Sequence, residues 1–327
     1  MRDNGRERIA YFGKIPGRSD FIRQPAGLSM TGALDAWLGM VMERLGTGDH
    51  ARLRYDAMAP VHVAFVGTRR RHAVAGHLVA SRDRAGRRYP FLLMHAMDVD
   101  EPAAFVAQCP LALQPLWTRM AALAQGAVAH ATHGTPATPS ALDAIGSAEV
   151  EIDGGCASAM AAFLATGTAA SLASLLGTDV RRLMLALGLL LQPVLQSGVQ
   201  QVARSLALPL PADPLARCHV AAFWMELIVP FLRRADVELS LLITTLEDKP
   251  TLVVAFSSAC VRTLHALIDP ALRAAQIVDV GDAAWVDDAV GADVAVRTLA
   301  TYLEQAQLPL RLARELFLQA FTGAAPA

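Results

Sequence analysis

VHVAFVGTRRRHAVAGHLVASRDRAGRRYPFLLMHAM, residues 61–97, holds three apolar, β-branched runs separated by short polar turns. The runs are Val61–Val66, Ala73–Val79 and Tyr89–Met97, and runs of this kind bounded by Gly, Ser and Asp read as strands. The first alternates in part. The third is almost wholly apolar, as in a central strand covered on both faces. Residues 67–72 (GTRRRH) and 81–86 (SRDRAG) make tight connections. Connections this short join strands of opposite direction, so the sheet is expected to be mainly antiparallel.

Upstream, Ile9–Phe12 is a further short strand running into Gly13, Pro16 and Gly17. Leu34, Trp37, Leu38, Val41, Met42 and Leu45 recur at three- and four-residue spacing, which predicts an amphipathic helix from Met30 to Leu45, closed by Gly46. Downstream, a helix is expected from about Pro102 to Gln125, disturbed at Pro110 and Pro115. His130–Pro139 reads as a linker. Beyond it come Ala- and Leu-rich helices, the strongest at Val180–Ala203, then an apolar segment at His219–Phe231. A hairpin is expected at 237–256 around Glu247-Asp248-Lys249-Pro250, followed by a helical tail in which Asp282 caps a helix over Ala283–Ala289. The expected fold class is α+β, with antiparallel sheets flanked by helices. Two parts are anticipated: an N-terminal α+β domain over 1–130 and a helix-rich C-terminal α/β part over 131–327.

The chain has 327 residues, 54% of them apolar and 18% charged, which is ample material for a large core and excludes global disorder. A net charge of −1 argues against a general nucleic-acid binder. That sum hides an asymmetry: residues 1–100 carry 16 Lys and Arg against 10 Asp and Glu, whereas 236–293 carry 3 against 10. Four scattered cysteines without a CxxC pair suggest reduced thiols and a cytoplasmic protein. The charged start has no apolar stretch behind it, so no signal peptide is expected. Leu183–Leu195 is well short of the ~20 apolar residues a membrane span needs, so membrane insertion is not expected.

Recognisable reaction chemistry is sparse. Gly13-Lys14 is followed by Ile15 and lacks the spacing of a phosphate-binding loop. Neither His130 with His133 nor His72 with His77 across a hairpin has metal-ligand spacing to cysteine or carboxylate, so no metal or cofactor is expected. Cys156, behind Asp153-Gly154-Gly155, has no nucleophile signature and reads as an inert buried thiol. The arginines at 69, 70, 71, 82, 84, 87 and 88 stand out. Guanidinium forks suit carboxylates or phosphates, although Arg87 could equally tie down its own turn through Asp83. If the two turns lie at opposite ends of a strand, these residues form two clusters. Arg69, Arg70, Arg71 and Arg84 are the candidate partner contacts.

Two segments carry a specific resemblance. YFGKIPGRSDFI, residues 11–22, resembles the FGKxPxRGDF signature of the TagF (ImpM) family, accessory proteins of bacterial type VI secretion systems. GHLVASRDRAGRRYPF, residues 76–91, is similar to the family's second block, PSxDxxGRxFP. Ser19 stands where the family has Gly, and Ala80 where it often has Pro. Serine at a positive φ would cost about 1 kcal/mol. The matching positions are Phe12, Gly13, Lys14, Pro16, Arg18, Asp20 and Phe21 in the first, with Ser81, Asp83, Gly86, Arg87 and Pro90 in the second. They read as architecture first: Gly13, Pro16 and Asp20 shape a strand exit, Phe12 and Phe21 anchor it, and Pro90 opens a strand.

The resemblance implies a longin- or profilin-like N-terminal part. It also implies a non-enzymatic post-translational regulator that binds the forkhead-associated scaffold protein of the secretion system. Two readings compete with that one. An enzyme could process phosphate esters through the Arg82–Arg88 turn, or the protein could be a structural subunit of the machine.

Overall fold

The computed structural model describes residues 8–24, 28–132, 139–148, 150, 152–199 and 202–323. Its elements begin with β1 (Ala10–Gly13), β2 (Ile22–Arg23), α1 (Leu28–Leu45), α2 (Asp49–Asp56), β3 (Val61–Gly67), β4 (His72–Val79) and β5 (Phe91–Asp98). Helices α3 (Pro102–Ala112), α4 (Gln114–Thr132), α5 (Pro139–Ser147), α6 (Cys156–Thr166), α7 (Ala169–Leu176) and α8 (Val180–Ser197) follow. Then come β6 (Ser205–Pro209), α9 (Pro214–Ile228), β7 (Glu238–Leu246), β8 (Lys249–Ala255), α10 (Val261–Ile268), α11 (Pro270–Gln276) and β9 (Ile277–Asp279). The chain closes with α12 (Val286–Ala289), α13 (Val294–Leu303) and α14 (Leu310–Thr322).

The strands form one sheet in the order β2-β1-β5-β4-β3-β7-β8-β6-β9, and among the described residues its one parallel pair is β6 with β9. The fold is α+β. The sheet continues across the boundary drawn at residue 130: His62 of β3 lies opposite Ile243 of β7, and Gly67 opposite Glu238. Within β7–β8 the two-residue turn Glu247-Asp248 holds φ of 49° and 63°, the conformation that matches strand twist in tight hairpins.

Period-2 alternation divides the strands between two helical layers. Val61, Val63 and Phe65 of β3 face α1, where Trp37 meets Phe65 edge-on at 5.2 Å, and Leu264 and Leu267 of α10 extend this layer. Ala64 and Val66 face the larger layer with Leu93 of β5, Trp117 of α4 and Phe223 of α9. The Trp117 indole N–H donates to the Val63 carbonyl at 3.2 Å, and that of Trp224 donates to the Pro209 carbonyl at 3.0 Å. Both rings therefore bury their area without leaving a donor unpaired.

The expected helix at 102–125 is two helices, broken at Leu113 between Pro110 and Pro115. The Val180 helix stops at Ser197, ahead of Gly198 at φ 87°. Asp282 is not an N-cap: its N–H bonds the Asp279 carbonyl, and α12 starts later, after Trp285. Of the linker at 130–139, residues 133–138 lie outside the described residues, and so does His133. Among the described residues the run long and apolar enough to cross a bilayer is Pro214–Leu232 rather than 183–195, and 67% of its most apolar 18-residue stretch is buried inside the fold. All four cysteines are free, and Cys109, Cys156 and Cys218 are buried.

His77 pairs not with His72 but with His62, across β3 and β4, at 3.0 Å between Nδ1 atoms. His72 instead meets Asp98 at 2.6 Å. Burial holds the His62 imidazole down to about 3, aided by His77 and Arg217, and burial alone holds His77 down to about 4. Both rings are thus neutral in the fold at pH values where the unfolded chain protonates. Their contribution is complete above pH 6.5 and is lost as pH falls towards 4 and 3. The stability measured in urea is expected to fall between pH 7 and pH 4.5, and by less in His77→Gln. An equal fall in the variant would show that this imidazole titrates alike in both states.

Candidate partner-binding site

The two signature segments meet at one end of the sheet. β1 ends in Gly13, whose φ of 130° turns the chain away, and Pro90 and Phe91 lie directly against it. Lys14 follows and is only 7% exposed. Its ammonium lies 3.0 Å from Asp83 Oδ2 and 4.8 Å from the centre of the Phe21 ring. Such a charge is tolerable when buried only with partners of this kind.

Asp83, whose side chain is fully buried, is the hub. Oδ1 accepts from the Ala85 N–H at 3.0 Å and the Arg87 N–H at 2.9 Å, while Oδ2 accepts from Arg87 Nε at 2.7 Å. Burial pushes its carboxyl up. The Arg87 backbone N–H, Lys14 and the Arg87 guanidinium outweigh that and hold it at about 2. The Asx-type turn takes Gly86 at φ 80°. Arg87 then reaches back, donating through Nη2 to the Ser19 carbonyl at 2.7 Å, while the Arg84 N–H donates to the Arg18 carbonyl at 2.8 Å. Ser19 is not among the residues with positive φ, so the family's glycine is replaced here without the expected strain.

Aromatic rings close the same end. Phe12 is buried and stacks on Phe21 at 5.7 Å, and Tyr89 meets both edge-on. Phe21 is not sunk in the core as an anchor: it is 45% exposed. Ser81 is buried, and its backbone N–H and carbonyl both bond the Tyr55 hydroxyl at 3.0 Å. Pro16 is half-buried, and Arg18 and Asp20 are exposed. Met42 and Leu45 of α1, Tyr55 of α2 and Arg87 and Arg88 of the turn line an open cleft of about 690 Å³ beside this knot. Arg88 is held by both oxygens of Asp56, at 2.8 and 2.5 Å.

Arg69, Arg70 and Arg71 lie elsewhere. The eight residues of β4 separate their turn from Arg84, roughly 26 Å at ~3.3 Å per residue. Each is occupied: Arg69 with the Arg234 carbonyl at 3.3 Å, Arg70 with Asp236 at 3.4 Å and Glu238 at 3.7 Å, and Arg71 with Asp100 at 2.6 Å. Sequence reasoning missed these acceptors because the Arg234 carbonyl, Asp236 and Glu238 come from the segment that leads into β7, in the other half of the chain, and Asp100 arrives from the far end of β5. Of the titratable groups in the two signatures, Lys14, Asp83 and Arg87 are brought together in a structural ion-pair knot, while Arg18 and Asp20 stay exposed outside it.

No curated protein matches the chain. A crystal structure of PA0076 from Pseudomonas aeruginosa PAO1 is similar at a TM-score of 0.36 and 19% identity over 42% of this chain, which spans 60% of that protein. Residues 10–144 match the family model of the TagF N-terminal domain, type VI secretion system-associated. That span contains both signature segments and the knot that joins them, and over these residues the chain is similar to the N-terminal domain of TagF proteins.

Proposed function

We propose that the protein is a non-catalytic accessory protein of a type VI secretion system. In this reading it restrains the machine after translation by binding the forkhead-associated scaffold protein in the cytoplasm. The observation that carries the reading is the match to a secretion-associated domain in which the signature residues Lys14, Asp83 and Arg87 spend their charge on each other. Asp83 is already fully occupied by Lys14, Arg87 and two backbone N–H groups. A group so engaged supports a rigid display surface better than general acid–base work.

Affinity purification of the tagged protein from its own cytosol, followed by mass spectrometry, is the test. Recovery of the forkhead-associated scaffold near one to one is expected, and deletion of the gene is expected to raise secretion under repressing conditions. Recovery of sheath or baseplate proteins alone would instead make it a structural subunit.

A further inference from the structure

The arginines of the chain differ in what they already hold. Those at the β3–β4 turn are engaged with the Arg234 carbonyl, Asp236, Glu238 and Asp100. To bind a partner's carboxylate they must first give up their own, which cancels much of the gain. At the signature end the position is reversed. Arg18, Arg82 and Arg84 are exposed, and among the described residues their side chains have no ion-pair partner. Arg84 is tied to Arg18 through its backbone N–H, and Arg82 is bridged to Arg88, so their main chains are held in place before any partner arrives. Binding to such a frame loses less entropy than binding to a mobile loop.

Apolar surface lies beside this free charge. Phe21 is 45% exposed on the same loop, and the cleft beyond Arg87 and Arg88 has Met42 and Leu45 on its far wall. Exposed carboxylates are interspersed: Asp20 on the loop and Glu43 in the lining of the cleft. A uniformly anionic phosphate backbone would meet repulsion from both. A protein segment can place its acids against the arginines and its apolar side chains against Phe21 and the cleft.

We infer that Arg18, Arg82 and Arg84, with Phe21 and the adjoining cleft, form a docking surface for an acidic, leucine-type segment of a partner protein. The inference rests on the reading of the chain as a partner-binding regulator and names the surface it uses.

The test uses the full chain and fluorescence anisotropy. The probes are a labelled peptide repeating Glu, Glu and Leu, its Gln-for-Glu counterpart and a single-stranded oligonucleotide of equal length. Saturable binding of the acidic peptide alone is expected. It should weaken about tenfold in the triple variant Arg18→Ala, Arg82→Ala, Arg84→Ala and stay unchanged in Arg69→Ala, Arg70→Ala, Arg71→Ala. Because all three residues are exposed, thermal unfolding of the first variant should match the wild type. No saturable peptide binding, equal binding by the wild type and the first variant, or tighter oligonucleotide binding overturns the inference. A pull-down of the forkhead-associated scaffold with the same proteins keeps the two claims apart. Capture by the wild type and the first variant alike leaves the regulator standing and removes this surface from it. No capture by the wild type removes the regulator, while the peptide titration still decides the surface.

Discussion

Asp83→Asn is expected to lose about 3–5 kcal/mol of folding stability, the usual cost of stranding one member of a buried ion pair. The amide keeps the size and one acceptor oxygen, so the Ala85 and Arg87 N–H groups can still bond it. On the other side its NH₂ would face the Lys14 ammonium and Arg87 Nε, setting donors against donors. Lys14 would be left 7% exposed with only the Phe21 ring for company. Urea unfolding at pH 7 measures the loss, and adding Lys14→Met should recover a large part of it, because the stranded charge then goes too. A loss confined to a few tenths of a kcal/mol, on the scale of exposed ion pairs, would show that the knot is solvated.

The same carboxylate gives the wild type an acid-side signature. Its pKa of about 2 in the fold lies below the ordinary 3.8, so the folded state binds its proton later than the unfolded chain. The contribution is complete above pH 3.8 and is lost as pH falls through 2. Asp83→Asn removes that slope and leaves the higher histidine window untouched. The two variants, Asp83→Asn and His77→Gln, should therefore flatten different parts of one stability curve.

Gly13→Ala is the other large effect, expected at about 3 kcal/mol or more. Two costs add. A φ of 130° is open to glycine and strained for any L side chain. A Cβ there would also stand 2.0 Å from the Pro90 carbonyl oxygen and 2.9 Å from Phe91 Cα, both backbone atoms that cannot swing aside. Relief requires β1 to move off β5, and that shift would pull Lys14 from Asp83. Thermal unfolding and peptide-probe binding should fall together. A variant with wild-type Tm would show that β1 can re-register without disturbing the knot. Gly86→Ala makes a useful contrast: φ is 80°, but open space surrounds it, so only the conformational cost of about 1 kcal/mol is expected.

Residues 61–97 show why so much of the sheet was readable. Each strand is an apolar run with its turn beside it, and β3, β4 and β5 pair in sequence order, so local pattern and tertiary partner coincide. The Glu247-Asp248 hairpin is of the same kind. β6 and β9 were not readable. Five and three residues long, they carry little period-2 signal, and their pairing is parallel and closed through intervening elements. Phe21 was misjudged because an aromatic in a loop gives no sign of which side of its stack faces water.

By itself the sequence determined the α+β class, the meander of three strands and the two glycine-marked turns, because backbone preference and hydrophobic alternation act over a few residues. It also determined the family resemblance, through residue types at fixed local spacing. The tertiary structure alone decided that Lys14 is neutralised by Asp83, that Arg69, Arg70 and Arg71 are already paired, and that Arg18, Arg82 and Arg84 have no ion-pair partner among the described residues. It likewise decided that β3 and β7 join the two halves in one sheet. Charge pairing depends on distance through space, and no local pattern states which carboxylate a folded chain will bring within 4 Å of a given guanidinium.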